Sequence, residues 1–443
     1  MITSKVDTLI FNASYLITVN KENQVHKNYS IAITNGQITH IAPTEELAHL
    51  EAKNKFDAHG KILAPGLINT HTHLAMSLLR GWAEGVDLQG FLDRVWTAES
   101  LIMNSENVEL GTRLGAVESL LAGTTTTLDM YLFPDAAHKG AVSAGIRHIS
   151  GPIFLDFPGL DGLQWEQRIE LAKNWQQVLS EIGGPDVPTF LMPHATYTLS
   201  PSHLKQVSEL AQQMNAGISI HISENLSEND QIQKKYSKTP TALLESSGVL
   251  QSQTIVGHGV HLTDDDIKIL AKFHAAIAHC PGSNLKLGSG IADIKKYQDS
   301  NLAVTLGTDG CSSSNDLDMW SVIRLAANLY SERNGAENLK ADQIFRMATI
   351  EAAKALGLEN SIGSIEVGKQ ADLILIDLNK PHLIPLHNIF AQLVFAVGRA
   401  DVSDVWVDGK HVVAAGKSTL VEFSQLSAQV EKVSIRLHEH SKK

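Results

Sequence analysis

Between residue 61 and about residue 320 the chain alternates short apolar runs with longer stretches that carry one apolar face. The runs fall at 62–69, 124–130, 148–153, 189–192, 217–220, 254–256, 275–278 and 303–306. Most are only a few residues long and bounded by turn residues, as buried parallel strands are. Among the stretches between them, 107–121, 166–179, 201–214 and 264–272 repeat their apolar residues at helical spacing. Strands alternating with helices in this way predict an α/β fold, a parallel (β/α)8 barrel of the TIM type. An open doubly wound sheet would need a Gly-x-Gly-x-x-Gly turn after a strand. Gly288-Ser289-Gly290 lacks the third glycine, and a nucleotide-phosphate loop is set aside.

Both ends of the chain read differently. Asn35-Gly36 separates two strand-like pieces at 31–34 and 37–41, and Asp408-Gly409 separates 402–407 from 411–413. Each dipeptide tolerates the positive φ angles of a two-residue hairpin. Another apolar run lies at 371–377, after a helical region at 316–356. The expected organisation is a composite β-sandwich from 1–60 and 366–418, a barrel domain at 61–365, and a C-terminal helix at 419–443.

Composition removes several classes of partner. The net charge is −12 and no long Lys/Arg block occurs, so nucleic acid and anionic membrane are poor partners. No apolar run approaches the roughly 20 residues of a membrane span. The first residues lack a signal-peptide layout. Cys280 and Cys311 are the only cysteines, too few for a disulfide framework or a Cys-rich zinc site. A cytoplasmic protein is expected, and whether it forms a homo-oligomer stays open.

Several strand-like runs end in a side chain suited to metal or proton chemistry. The first closes as Pro65-Gly66-Leu67-Ile68-Asn69-Thr70-His71-Thr72-His73. On a strand, residues two apart share a face, so His71 and His73 project together. Spacing alone is weak, because 20 histidines in 443 residues give about one His-x-His by chance. The control is His438-Glu439-His440 on a polar tail, where a solvated helix end is expected. Later runs end in His194, in His221 with Glu224 three residues on, in His258 and in Asp309. Singly, each has an ordinary reading as a packed histidine, a helix cap or a solvated carboxylate. In a barrel, however, the strand C-termini converge on one face.

His71, His73, His221 and Asp309 make a donor set for one divalent metal ion, most naturally Zn2+, with a position left for water. Such an ion lowers the pKa of its water toward about 7. Asp309 can take the proton, Glu224 can carry one to substrate, and His258 can brace developing charge.

These residues resemble the amidohydrolase superfamily, as does Gly368-Lys369-Gln370-Ala371-Asp372-Leu373. The likeness covers nearly the whole chain. Within it, the chain is most similar to the methylthioadenosine/S-adenosylhomocysteine deaminases and neighbouring chlorohydrolase-type enzymes. The pieces that carry this are Leu78-Leu79-Arg80-Gly81, Pro193-His194, His221-x-x-Glu224, Ser283-Asn284-Leu285-Lys286-Leu287-Gly288 and Gly307-Thr308-Asp309-Gly310. The resemblance implies metal ligands at His71, His73, His221 and Asp309. It implies a purine-contacting proton shuttle at Glu224, a histidine near the attacking water at His258, a ribose grip at Glu99 and a substrate-side histidine at His194. The implied reaction is hydroxide attack at C6 of an adenine nucleoside with loss of ammonia.

One departure stands out. Members that take S-adenosylhomocysteine can carry arginines after the third strand, whereas residues 151–164 hold none. Phe154, Phe157 and Leu160 are there instead, with Arg147 and Arg168 on either side. An apolar wall suits a thioether or methyl group better than a carboxylate. 5′-Methylthioadenosine, 5′-deoxyadenosine or adenosine is therefore expected ahead of S-adenosylhomocysteine. The alternatives are attack on a triazine, guanine or cytosine ring, or a metal-free scaffold on the same fold.

Overall fold

The computed structural model describes residues 5–440. Eight parallel strand positions form the barrel: Leu67–Thr72, Thr124–Asp129, Arg147–Ser150 continued by Ile153–Phe154, Phe190–Pro193, Gly217–Ile222, Thr254–His258, Ala276–His279 and Ala303–Leu306. They pair as two arcs. The arcs meet inside the third strand, where Gly151 packs so tightly that a Cβ would lie 1.8 Å from the Phe190 carbonyl oxygen. There Met192 N donates to Pro152 O at 3.0 Å. On the other side Thr70 Oγ1 donates to Leu306 O at 2.9 Å, and Asp309 N to His71 O at 3.0 Å. Most of these strands are buried on both faces and read as short apolar runs, although Thr124–Asp129 opens with four buried threonines.

The first run is two strands, not one. Lys61–Pro65 pairs antiparallel with Leu373–Asp377 in a seven-stranded terminal sheet, while Leu67–Thr72 opens the barrel. The chain changes sheets at Gly66, where a Cβ would lie 2.2 Å from Thr125 Oγ1. Residues 61–65 therefore pair outside the barrel domain to which the pattern assigned them. The 166–179 helix is likewise two, Trp165–Lys173 and Trp175–Ile182, broken at Asn174.

A four-stranded sheet faces the seven-stranded one across a core that includes Leu16, Ile33, Leu63 and Trp406. Both hairpins form at Asn35-Gly36 and Asp408-Gly409. The Glu51–Asp57 strand, which pairs parallel with Lys5–Ala13, is mostly exposed and carries no apolar signal.

Arg147 starts the third barrel strand and so sits at the barrel's lower end. Its Nε and Nη2 each donate to Asp372 at 3.0 Å, and its Nη1 donates to Asp186 O at 2.7 Å. Gln370 Oε1 also accepts from this guanidinium. Asp372 in turn accepts from Asp408 N at 2.8 Å. The Gly-Lys-Gln-Ala-Asp-Leu segment thus ties the terminal sheet to the barrel floor through a buried ion pair.

At the opposite end, the Leu88–Ile102 helix leans over the barrel mouth. The Phe423–His440 helix packs behind it through Leu426, Val433 and Leu437. His438 and His440 lie on the exposed end of that last helix. Among the described residues no helix is long and apolar enough to cross a membrane.

Candidate active site

The strand ends bring His71, His73, His221, His258 and Asp309 into one buried cluster. The nitrogens of His71, His73 and His221 lie within 4.8 Å of one another, as do the donor atoms of His71, His258 and Asp309. His71 Nε2 lies 3.7 Å and His73 Nε2 3.2 Å from Asp309 Oδ1.

Hydrogen bonding fixes which way each ring presents its lone pair. His73 Nδ1 donates to Met130 O at 2.6 Å, and His221 Nδ1 donates to His194 O at 2.7 Å. Both Nε2 atoms are then turned inward, where they face each other at 3.3 Å, that of His73 also 3.2 Å from Asp309 Oδ1. A divalent cation between them would take both nitrogens as ligands. His71 Nε2 is buried without any partner, the cost of which is about 1–3 kcal/mol. The donor chemistry therefore fits a divalent ion held by His71, His73, His221 and Asp309.

Burial, with the neighbouring imidazoles, holds His71 and His221 well below the ordinary histidine pKa, so both stay neutral. Burial works the same way on His73, but the Asp309 carboxylate outweighs it and brings His73 up to about 9. Burial would raise Asp309, and the facing histidines hold it well below the usual carboxylate range instead. Asp309 Oδ2 also accepts from Ser313 Oγ at 2.8 Å, and Oδ1 accepts from Gly310 N at 2.8 Å.

His71 fits because two neighbours lack side chains. A Cβ on Gly257 would lie 3.0 Å from His71 Cε1, and a Cβ on Gly307 2.9 Å from His71 Cβ. His258 and Asp309 sit at φ 68° and 63°, in the left-handed region that favours glycine. Holding a side chain there costs about 1–3 kcal/mol, which marks positions where the side chain itself is needed.

His258 Nδ1 donates to Asn284 Oδ1 at 2.9 Å, turning Nε2 toward Glu224 Oε2 3.8 Å away. Burial lowers the His258 pKa, but Glu224 and Asp309 carry it above its ordinary value. Burial raises Glu224, whose Oε1 accepts from Ser289 Oγ at 3.3 Å. Behind it, Glu228 Oε2 accepts the Glu224 backbone N–H at 3.1 Å, and Glu228 Oε1 accepts from Thr196 Oγ1 at 2.9 Å.

A cavity of about 320 Å³ opens over this cluster. His194, Glu224, His258 and Asp309 line its floor, and Glu99 lines its wall. Burial, then the adjacent His73, holds His194 down to about 4. Burial pushes Glu99 up to about 7, and its carboxylate accepts from the Tyr131 hydroxyl. Leu155, Phe157, Pro158 and Leu160 form an apolar flank. Neither nearby arginine reaches the space. Arg147 is held at the barrel floor, and Arg168 donates to both oxygens of Asp161 at 2.9 and 2.7 Å.

Seven of the eight site residues expected from the sequence thus line one cavity, and the eighth, His71, is buried in the cluster with them. Asn284, Ser289, Ser313, Tyr131 and Gly257 were not singled out. Their partners lie 4 to 65 residues away or further in the chain. Asn284 and Ser289 stood within or next to one family-like segment, Ser283 to Gly288, and Ser313 directly before another, Ser314 to Asp318.

Comparison with known proteins agrees with this geometry. The model of the "Amidohydrolase family" matches residues 62–412. A 5-methylthioadenosine/S-adenosylhomocysteine deaminase of Moorella thermoacetica is 37% identical over 411 residues, covering 92% of this chain and 94% of that protein. An adenosine deaminase structure from Xanthomonas campestris with bound zinc superposes with a TM-score of 0.94 at 32% identity, covering 98% and 99% of the two chains. The zinc complex of an Arthrobacter aurescens atrazine chlorohydrolase shares the fold, with a TM-score of 0.88 at 23% identity over 96% of this chain and 100% of that one. On the extent of the family match and of this identity, the chain belongs to the amidohydrolase family.

Proposed function

We propose that this protein is a metal-dependent hydrolytic deaminase of adenine nucleosides, with small uncharged 5′ groups preferred. The observation that carries the reading is the pair of Nε2 atoms that face each other at 3.3 Å beside Asp309, directly under a cavity walled by Glu99. A scaffold protein would gain nothing by burying three imidazoles and a carboxylate around one point. The similarity to a methylthioadenosine/S-adenosylhomocysteine deaminase and to a zinc-bound adenosine deaminase supports the substrate class.

When bound by His71, His73, His221 and Asp309, a divalent ion, zinc by its nitrogen-rich donors, lowers the pKa of water to about 7. The chain's own residues supply the rest. Asp309 accepts the proton of the attacking water. His258, held by Asn284, directs Nε2 at the developing oxygen charge at C6. Glu224, whose hold on a proton burial strengthens, donates to the purine ring nitrogen and takes back the hydroxyl proton as the C6 carbonyl forms. The proton taken from water then leaves with the amino group as ammonia. Glu99 accepts from the vicinal ribose hydroxyls, and His194 lies along the substrate side.

The apolar flank at 155–160 and the engagement of Arg147 and Arg168 elsewhere favour a methylthio group over an amino-acid carboxylate. Both cysteines are free and buried, which fits the reducing cytosol.

Ammonia release from a panel of 5′-methylthioadenosine, 5′-deoxyadenosine, adenosine, S-adenosylhomocysteine, guanine, cytosine and a triazine tests this. The expected order places 5′-methylthioadenosine first and S-adenosylhomocysteine at least about tenfold lower in kcat/KM, the cost of one unpaired buried charge contact. Equal values for those two would refute the 5′ preference. Turnover of guanine or the triazine alone would refute the nucleoside reading.

A further inference from the structure

Tyr131 lies in the cavity wall, two residues beyond the end of the second barrel strand, and nothing above gives it a task. Its ring is 5% exposed, and its hydroxyl donates to Glu99 Oε1. Burial, with Glu99 beside it, holds the phenol well above its ordinary pKa, so it remains a donor at any working pH.

Glu99 reaches the cavity from a different element. Phe91, Val95 and Glu99 are four residues apart on the Leu88–Ile102 helix, and all three line the cavity. That places one carboxylate at the end of an apolar stripe. A buried carboxyl left without a donor takes up a proton, and a protonated carboxyl is a poorer acceptor for two hydroxyls. A carboxylate offers about four acceptor sites. With Tyr131 on one of them, enough remain for a vicinal diol.

The backbone adds a second reason. Met130 O receives His73 Nδ1, and Tyr131 is the next residue. One short segment therefore places a ring of the metal-fitting cluster and the donor that orients Glu99. The spacing from sugar grip to reacting centre is built into two adjacent residues.

We propose that Tyr131 is the positioning residue that selects substrates with a 2′,3′-diol, by holding the Glu99 carboxylate in the cavity as a hydroxyl acceptor. The proposal rests on the nucleoside reading. It concerns a residue that does not touch the reacting atoms.

The experiment compares 5′-methylthioadenosine with its 2′,3′-dideoxy counterpart in the metal-loaded wild type, Tyr131→Phe and Glu99→Gln. Tyr131→Phe removes one oxygen and leaves the ring in place. Its loss should fall chiefly on KM for the diol substrate, by about tenfold, the worth of a hydrogen bond to a charged group. KM for the dideoxy substrate should stay within twofold, so the preference between the two collapses. In the wild type, KM for the diol substrate should fall as pH rises through about 7, where Glu99 ionises. Tyr131→Phe should move that inflection upward, and Glu99→Gln should abolish it. A purely structural role would raise both KM values together and leave the inflection in place; that result overturns the proposal. Glu99→Gln with wild-type KM for both substrates would instead overturn the sugar assignment beneath it. Absence of any deamination by the wild type would overturn the nucleoside reading.

Discussion

At the barrel floor, Arg147 and Asp372 are 1% and 2% exposed, and all three guanidinium nitrogens meet acceptors. At the barrel mouth, His71, His73 and His221 are buried almost as deeply, yet their inward nitrogens crowd one another around a single Asp309 oxygen, and that of His71 has no hydrogen-bond partner. Both regions place polar groups where water does not reach. The floor repays desolvation with complementary charge inside the chain, and the mouth leaves its complement to come from outside. Buried polar residues therefore say little about function by their number. What separates a fastening from a site is whether the donors and acceptors cancel.

The largest effect that would break this contrast is on activity. Asp309→Asn should cost on the order of 10²–10⁴ in kcat. The unfolding midpoint of metal-free protein should fall less than in the Arg147 change below, because an amide oxygen at 309 can still accept from Gly310 N. Retained turnover, or a collapse in metal-free stability, would put the two clusters in the same class. Arg147→Met should do the reverse. It strands Asp372 and costs about 3–5 kcal/mol in a urea titration, while kcat per folded molecule stays at the wild-type value. Replacing both partners, as Arg147→Met with Asp372→Leu, should recover most of that loss.

Chelation comes next. A ligand present at a hundred times its dissociation constant adds about 2.7 kcal/mol, so stripping the ion should lower the melting temperature of the wild type and of Arg147→Met alike. A drop confined to one of them would couple floor to mouth. The smallest effect expected is that of Asn284→Ala. It frees the His258 ring without removing a group from the centre, and kcat should fall about 10- to 100-fold with metal content unchanged.

The barrel was legible because most of its strands, buried on both faces, leave short apolar runs between helical stretches. The break at Gly66 was not legible. The run at 62–69 is apolar on both sides of it, and only the approach of Thr125 shows that the chain changes sheets there. The Glu51–Asp57 strand was invisible for the opposite reason, since its exposed positions carry no pattern. At the site, the residues at strand ends could be read because topology alone brings strand ends together. Glu99 lies on a helix and needed the family likeness. Tyr131, Asn284 and Ser289 act through partners 32, 26 and 65 residues away, and no spacing rule links such pairs. The acidic excess and the cysteine count narrowed the partners but did not touch the chemistry.

Gly257 and Gly307 set how deep the His71 imidazole can sink. A single methyl group at either place would lift that ring toward the mouth and shorten the room above it. Anyone reshaping this barrel for a new ring system thus has two positions where the safest-looking change, glycine to alanine, alters the depth of the reaction chamber. Libraries aimed at the outer wall should leave both untouched, and libraries aimed at bulkier or smaller rings have there a coarse adjustment of depth.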